Sequence, residues 1–149
     1  MAGWPQALTV PGSPAIGDIN EDGLLEIVVS SQKKDSPPSM YAFRANGSIV
    51  SGWPVVVNIV KRYGVGTPVL SDLDGDGKME IVVGSSCYSI HAWHDDGTMV
   101  QNFPIKNIGM QFSSPAIADL DDNGRMEIVF GDASSVLKVH VFEIPFNYR

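Results

Sequence analysis

Three stretches of this chain carry oxygen donors at one fixed spacing. The first is Asp18-Ile19-Asn20-Glu21-Asp22-Gly23-Leu24-Leu25-Glu26. The second is Asp72-Leu73-Asp74-Gly75-Asp76-Gly77-Lys78-Met79-Glu80, and the third is Asp119-Leu120-Asp121-Asp122-Asn123-Gly124-Arg125-Met126-Glu127. Each reads D-x-[DN]-x-[DN]-G-x-x-E. In a loop of this type, positions 1, 3 and 5 turn side-chain oxygens inward. The glycine at position 6 permits the sharp bend, and position 7 offers a backbone carbonyl. The expected ligand sets are therefore Asp18, Asn20, Asp22, the Leu24 carbonyl and Glu26; Asp72, Asp74, Asp76, the Lys78 carbonyl and Glu80; and Asp119, Asp121, Asn123, the Arg125 carbonyl and Glu127. These are hard oxygen donors with no thiolate among them, which suits calcium, a cation that takes roughly six to eight oxygens in flexible geometry. Magnesium prefers a strict octahedron with retained waters and is the poorer match. Up to three ions are expected. Loop two has four carboxylates where the others have three, so it should bind tightest. Without a cation, carboxylates converging on one turn repel one another.

The first half of the loop is shared with the EF-hand, but the rest is not. An EF-hand needs a bidentate Glu at position 12 and flanking helices. Position 12 here is Val29, Val83 or Phe130, and the flanks are β-branched. The closing acid is instead the Glu at position 9.

The loops sit inside a longer repeat of about 50 residues. Tyr41-Ala42-Phe43 corresponds to His91-Ala92-Trp93 and His140-Val141-Phe142. Asn46-Gly47 corresponds to Asp96-Gly97. Gly52-Trp53-Pro54 corresponds to Asn102-Phe103-Pro104 and to Gly3-Trp4-Pro5. Each period reads as four strands. Strand A is the small apolar segment before the loop, and strand B is the Glu-Ile-Val run after it. Strand C alternates with period two. A type I′ hairpin at Asn-Gly or Asp-Gly is then expected, with strand D leading into Trp-Pro or Phe-Pro.

A four-stranded unit of this length is the size of a β-propeller blade. The expected fold is all-β: a propeller segment of three four-stranded antiparallel blades, with the acidic loops between strands A and B. Residues 1–12 would be the D strand of a preceding blade. Residues 13–58 would form the first blade, 59–108 the second, and 109–149 a third lacking its own D strand. Propellers close with about 4–8 blades. Self-association, or further blades in a longer parent chain, is therefore expected to complete the ring.

At these residues the sequence resembles the FG-GAP/VCBS repeat family, found in integrin α-subunit propellers and in many bacterial surface proteins. Closing Glu residues give it the bacterial-type form. The resemblance implies a β-propeller with calcium in the A–B hairpins.

Composition limits the partners. Ten Lys and Arg face 17 Asp and Glu, giving a net charge of −7. That argues against nucleic acid, which needs a basic face. No apolar run approaches the roughly 18 residues of a membrane span, so membrane insertion is not expected. The N-terminus shows no secretory leader pattern. Twelve of the 17 acids lie in the loops, so three Ca²⁺ would bring the net charge to −1. The B–C and D–A connections vary in length on the face opposite the loops, and variable loops on a rigid scaffold commonly carry function. Lys33, Lys34, Lys61, Arg62, Tyr63, Gln111 and Phe112 fall there and could meet an acidic glycan or a protein. His91, His140, Trp4, Trp53 and Phe103 are expected to pack, and Cys87 to act as a small apolar residue. No Ser-His-Asp or Cys-His arrangement and no glycosidase pair is evident, so catalysis is not expected. The reading is a calcium-binding propeller module of a secreted, cell-surface or periplasmic protein, acting in adhesion or scaffolding. The alternatives are the non-catalytic propeller portion of a secreted polysaccharide-degrading enzyme, or a lectin.

Overall fold

The computed structural model describes residues 3–9, 11–32, 36–57, 64–86, 88–106, 114–132 and 138–144. The described residues are all-β, with no helix. Sheet one contains β1 (Ala15–Gly17), β2 (Glu26–Ser31), β3 (Ser39–Arg44) and β4 (Val55–Val56) in sequential order. Sheet two repeats this with β5 (Val69–Ser71), β6 (Glu80–Ser85), β7 (Ser89–Trp93) and β8 (Ile105–Lys106). Sheet three has β9 (Ala116–Ala118), β10 (Glu127–Asp132) and β11 (Lys138–Glu143). All pairings are antiparallel. The three first strands run side by side, β5 touching both β1 and β9. This array is three sheets wide, and the described residues show no closed ring.

The core lies between sheets. Val28, Met40 and Ala42 of sheet one, with Val50, Trp53 and Val57, meet Ile81, Val83 and Trp93 of sheet two. Val82, Ile90, Ala92 and Val100 of sheet two meet Ile128 and Phe130 of sheet three in the same way. The strand period of two explains the pattern, because alternate residues of one strand face alternate neighbours. In β6 all six residues are buried, since both its faces are covered.

Two local expectations are corrected. The hairpin is not type I′. Gly47 donates its N–H to the Arg44 carbonyl at 2.9 Å, and Arg44 donates to Ser48 at 2.8 Å. Gly47 has φ +83°, whereas Asn46 is not in the left-handed region. Arg44–Gly47 is thus a type I turn followed by a glycine bulge, and His94–Gly97 repeats it. Closure on Arg44 and Ser48 leaves three loop residues, and only the last needs positive φ. Strand D, expected to lead into Trp-Pro, is also interrupted there and continues beyond it. Ile49 makes a single bridge to Phe43, a turn intervenes, and pairing with β3 resumes beyond Pro54 in β4. The peptides Trp4–Pro5, Trp53–Pro54 and Phe103–Pro104 are all cis.

The aromatic positions pack as expected. His91 is fully buried, stacks on Trp93 at 5.6 Å and bonds Ser89 Oγ through Nε2 at 3.0 Å. Burial, with Lys106 adding repulsion, holds its imidazole down at about 4. The unfolded value is near 6.5. The folded protein therefore keeps His91 neutral, and the resulting stability is complete above pH 6.5. It is lost as pH falls from 6.5 towards 4, by about 3 kcal/mol in all. Urea titrations at pH 7 and pH 4.5 should show this loss in the wild type and a smaller one in His91→Phe. Equal losses in both proteins would assign the acid sensitivity to other groups.

Candidate metal centre

The three acidic segments occupy the connections from β1 to β2, β5 to β6 and β9 to β10. Their local geometry follows from the sequence. Position 1 accepts from the loop backbone: the Asp18 carboxylate takes the N–H groups of Asp22 and Gly23 at 3.1 and 2.8 Å. Asp72 takes those of Gly75 and Gly77 at 2.7 and 3.0 Å. Asp119 takes those of Asn123 and Gly124 at 3.1 and 2.7 Å. At position 3, Asn20 and Asp74 accept from Asp22 and Asp76. Position 5 accepts from the residue at position 7 in every loop, at 2.8 Å from Leu24, Lys78 and Arg125. The glycines at position 6 have φ between +83° and +93°, as the bend requires. Position 4 is also left-handed, at Glu21, Gly75 and Asp122.

The acid at position 9 has a second use that its spacing alone did not reveal. It stands on the first residue of β2, β6 or β10 and is buried. One oxygen accepts the N–H of position 2: Ile19 to Glu26 at 3.3 Å, Leu73 to Glu80 at 2.7 Å, Leu120 to Glu127 at 2.8 Å. The other oxygen takes no part in that bond. In Glu26 and Glu127 it is buried with no hydrogen-bond partner. A buried carboxylate oxygen in that state is costly unless a cation or water meets it. In Glu80 the same oxygen lies 3.0 Å from His94 Nδ1.

Donor clusters follow from this packing. Asp72, Asp74 and Asp76 each offer an oxygen within 4.8 Å of the others, as do Asp119, Asp121 and Glu127. A third group joins Asp74 and Glu80 to His94. Asp121 thus enters a cluster although it takes no loop N–H in the described bonding. Loop one forms no such trio of His, Cys, Asp or Glu among the described residues, and its third position is the amide of Asn20. The loop residues fit a hard cation: within the loops themselves the donors are all oxygens, and two buried oxygens, on Glu26 and Glu127, have no hydrogen-bond partner.

Electrostatics agree with that fit. Burial pushes the Glu26 carboxyl up, against the Ile19 N–H, and the charges of Asp22 and Asp18 push it further. Burial raises Glu80 too, while Leu73 N–H and His94 pull it back. A raised folded value means that the cation-free fold gains stability as pH falls through it towards 4.5. A bound cation favours the ionised form, so metal affinity should weaken over the same window.

His94 was not among the residues singled out from the sequence. It follows Trp93 at the end of strand C, and the Ile81–Trp93 pairing sets it across from Glu80. Arg44 and Glu143 stand at the same place in the other repeats, across from Glu26 and Glu127. Arg44 lowers the Glu26 carboxyl, and Glu143 pairs with Arg125. The repeat alignment held this signal, because a position so near the loop changes charge in each copy. Lys78 reaches Asp95 at 3.2 Å, tying loop two to the turn after β7. Lys33, Lys34, Arg62, Tyr63 and Phe112, expected on the opposite face, lie outside the described residues, as do Lys61, Gln111 and Cys87.

Neighbouring loops also touch. Met79 donates its N–H to the Ile19 carbonyl at 3.1 Å, so the chain between two candidate ligands of loop one bonds the chain between two of loop two. Neither a curated protein nor a solved structure matches the chain. The FG-GAP-like repeat pattern matches it twice, over residues 18–83 and 72–130, each match beginning at the first aspartate of a loop. Two overlapping matches span most of the sequence and all three loops, and the chain belongs to the FG-GAP-like repeat family.

Proposed function

We propose that this chain is a calcium-binding β-propeller module of a secreted or cell-surface protein, acting in adhesion or scaffolding and not in catalysis. The observation that carries the reading is the buried Glu at position 9. It occurs three times, and in two loops it keeps one oxygen free beside the other acids. Asp18, Asn20, Asp22 and Glu26 would hold an ion in loop one, with Asp72, Asp74, Asp76 and Glu80 in loop two and Asp119, Asp121, Asn123 and Glu127 in loop three. Carbonyls of Leu24, Lys78 and Arg125 would complete the sets. Calcium would supply charge compensation and fix each A–B connection. The chain's own residues pre-orient the donors through the backbone bonds described above. Sites of this kind in extracellular modules work at roughly 10⁻⁴–10⁻³ M, which fits an extracellular setting. Any protein or glycan ligand would use the face opposite the loops.

Calorimetric titration of chelator-treated protein with Ca²⁺ should show up to three ions, and Asp72→Asn should remove the tightest. Magnesium should bind more weakly. An absence of calcium binding at millimolar concentration would overturn the metal assignment and leave the loops as turns.

A further inference from the structure

The two outer faces of the three-sheet array are the two halves of one contact that the protein already makes twice. At the sheet-one to sheet-two contact, Ile19, Met40 and Ala42 are fully buried. At the sheet-two to sheet-three contact, the equivalent Leu73, Ile90 and Ala92 are fully buried. In sheet three the same positions are Leu120, Val139 and Val141, which are 59%, 74% and 55% exposed. Apolar side chains are retained where no neighbouring sheet covers them, which marks an interaction face.

The complementary half is on sheet one. Leu70 and Met79 of sheet two pack against sheet one, and Ile117 and Met126 of sheet three pack against sheet two. Their counterparts Ile16 and Leu25 are 63% and 58% exposed. Beside them a groove of about 330 Å³ opens over Trp4, Leu8, Ile27 and Phe43.

Residues 3–8 supply the backbone half of the same joint. Trp53 Nε1 donates to the Asp95 carbonyl at 2.7 Å, and Trp4 Nε1 donates to the Ala45 carbonyl at 2.8 Å. Both tryptophans are thus docked identically on the turn after strand C of the next sheet. Beyond Trp53, Val55 and Val56 pair with Met40 and Ser39 of β3. Beyond Trp4, the equivalent Gln6 and Ala7 form no strand pairing in the described structure, and the outer edge of β11 has no partner strand among the described residues.

We propose that sheet three of one copy docks on sheet one of a second copy, with Gln6 and Ala7 of the second copy pairing with Val139 and Lys138 of the first. The register follows from the Met40–Val55 and Ile90–Ile105 pairs that already stand at this position. A second copy is the occupant because this chain presents both halves of the joint. Leu120, Val139 and Val141 match the first half of each internal contact, and Ile16, Leu25 and Trp4 match the second. Such a contact is heterologous, and used twice between two copies it closes a ring. Two copies supply six sheets, within the range of about 4–8 at which propellers close. None of the residues in this joint is a candidate calcium ligand.

The test is light scattering coupled to gel filtration on the 149-residue chain over a concentration series, with calcium and with chelator. The expected result is the mass of two chains at the upper concentrations. Val139→Glu changes a side chain that is exposed in the single chain, so it should leave the fold and its circular dichroism unchanged while abolishing the two-chain species. A second variant, Gln6→Cys with Val139→Cys, should give a disulfide-linked dimer under mild oxidation, and Gln6→Cys with Thr98→Cys should not. One-chain mass at every concentration would overturn the proposal, as would higher multiples. A Val139→Glu protein that still forms dimers would place the interface elsewhere and overturn it equally.

Discussion

Trp53→Ala is expected to destabilise the protein by about 3–5 kcal/mol, the range for truncating a large buried aromatic. Trp53 belongs by sequence to the first repeat, but it joins two sheets. Its ring lies in the cluster that holds Met40 and Val57 on one side and Ile81 and Trp93 on the other. Its Nε1 donates across the joint to the Asp95 carbonyl. Truncation therefore opens a cavity between sheets and leaves that carbonyl without its donor. Trp53→Phe separates the two losses, since it keeps most of the apolar area and removes only the N–H. That variant should lose about 1 kcal/mol from the hydrogen bond, plus any packing mismatch. The preceding Gly52 belongs to the same clasp. It has φ +87°, and a Cβ there would lie 1.7 Å from the Asp96 carbonyl oxygen, so Gly52→Ala should disrupt the joint as severely as removing the ring. Urea unfolding of the three variants gives the ranking. A Trp53→Ala loss below about 1 kcal/mol would show that the sheets hold together without this anchor.

Most of this architecture is legible in the sequence, because repetition averages out local ambiguity. The Glu-Ile-Val runs become β2, β6 and β10, and the period-two aromatic positions become β3, β7 and β11. What escapes is set by registry between strands. Asn46-Gly47 has the composition of a two-residue turn, but Arg44 pairs with Ser48 and sets a three-residue loop. The pairing across strands B and C puts His94 beside Glu80, a contact between residues 14 apart that no single loop motif contains. The dual use of the position 9 acid is hidden in the same way. One of its oxygens is needed to satisfy the N–H of position 2, which is visible only once that N–H is known to be buried. The repeats put Met40 and Val139 at equivalent positions, but only burial separates the covered Met40 from the exposed Val139.

Withdrawing calcium is expected to lower stability by about 4 kcal/mol when free calcium stands near ten times Kd, each of three sites contributing about 1.4 kcal/mol by mass action. For a chain of this length the melting temperature should fall by roughly 8–16 °C in chelator. The magnitude alone would not distinguish a bound ion from general screening, but Glu26→Gln does. In the cation-free protein Glu26 is a buried carboxylate with one oxygen unpartnered, and Asp22 and Asp18 add repulsion. A glutamine is neutral there and can still accept the Ile19 N–H through its amide oxygen. It should therefore raise stability in chelator, by up to about 1 kcal/mol. In calcium the same substitution removes a ligand and forfeits the gain from loop one, so the variant should melt below the wild type. The two proteins thus exchange rank between chelator and calcium. Screening by salt cannot produce that exchange, since it would ease the repulsion at Glu26 without rewarding its charge. The same rank order in both buffers would mean that Glu26 serves only to cap Ile19.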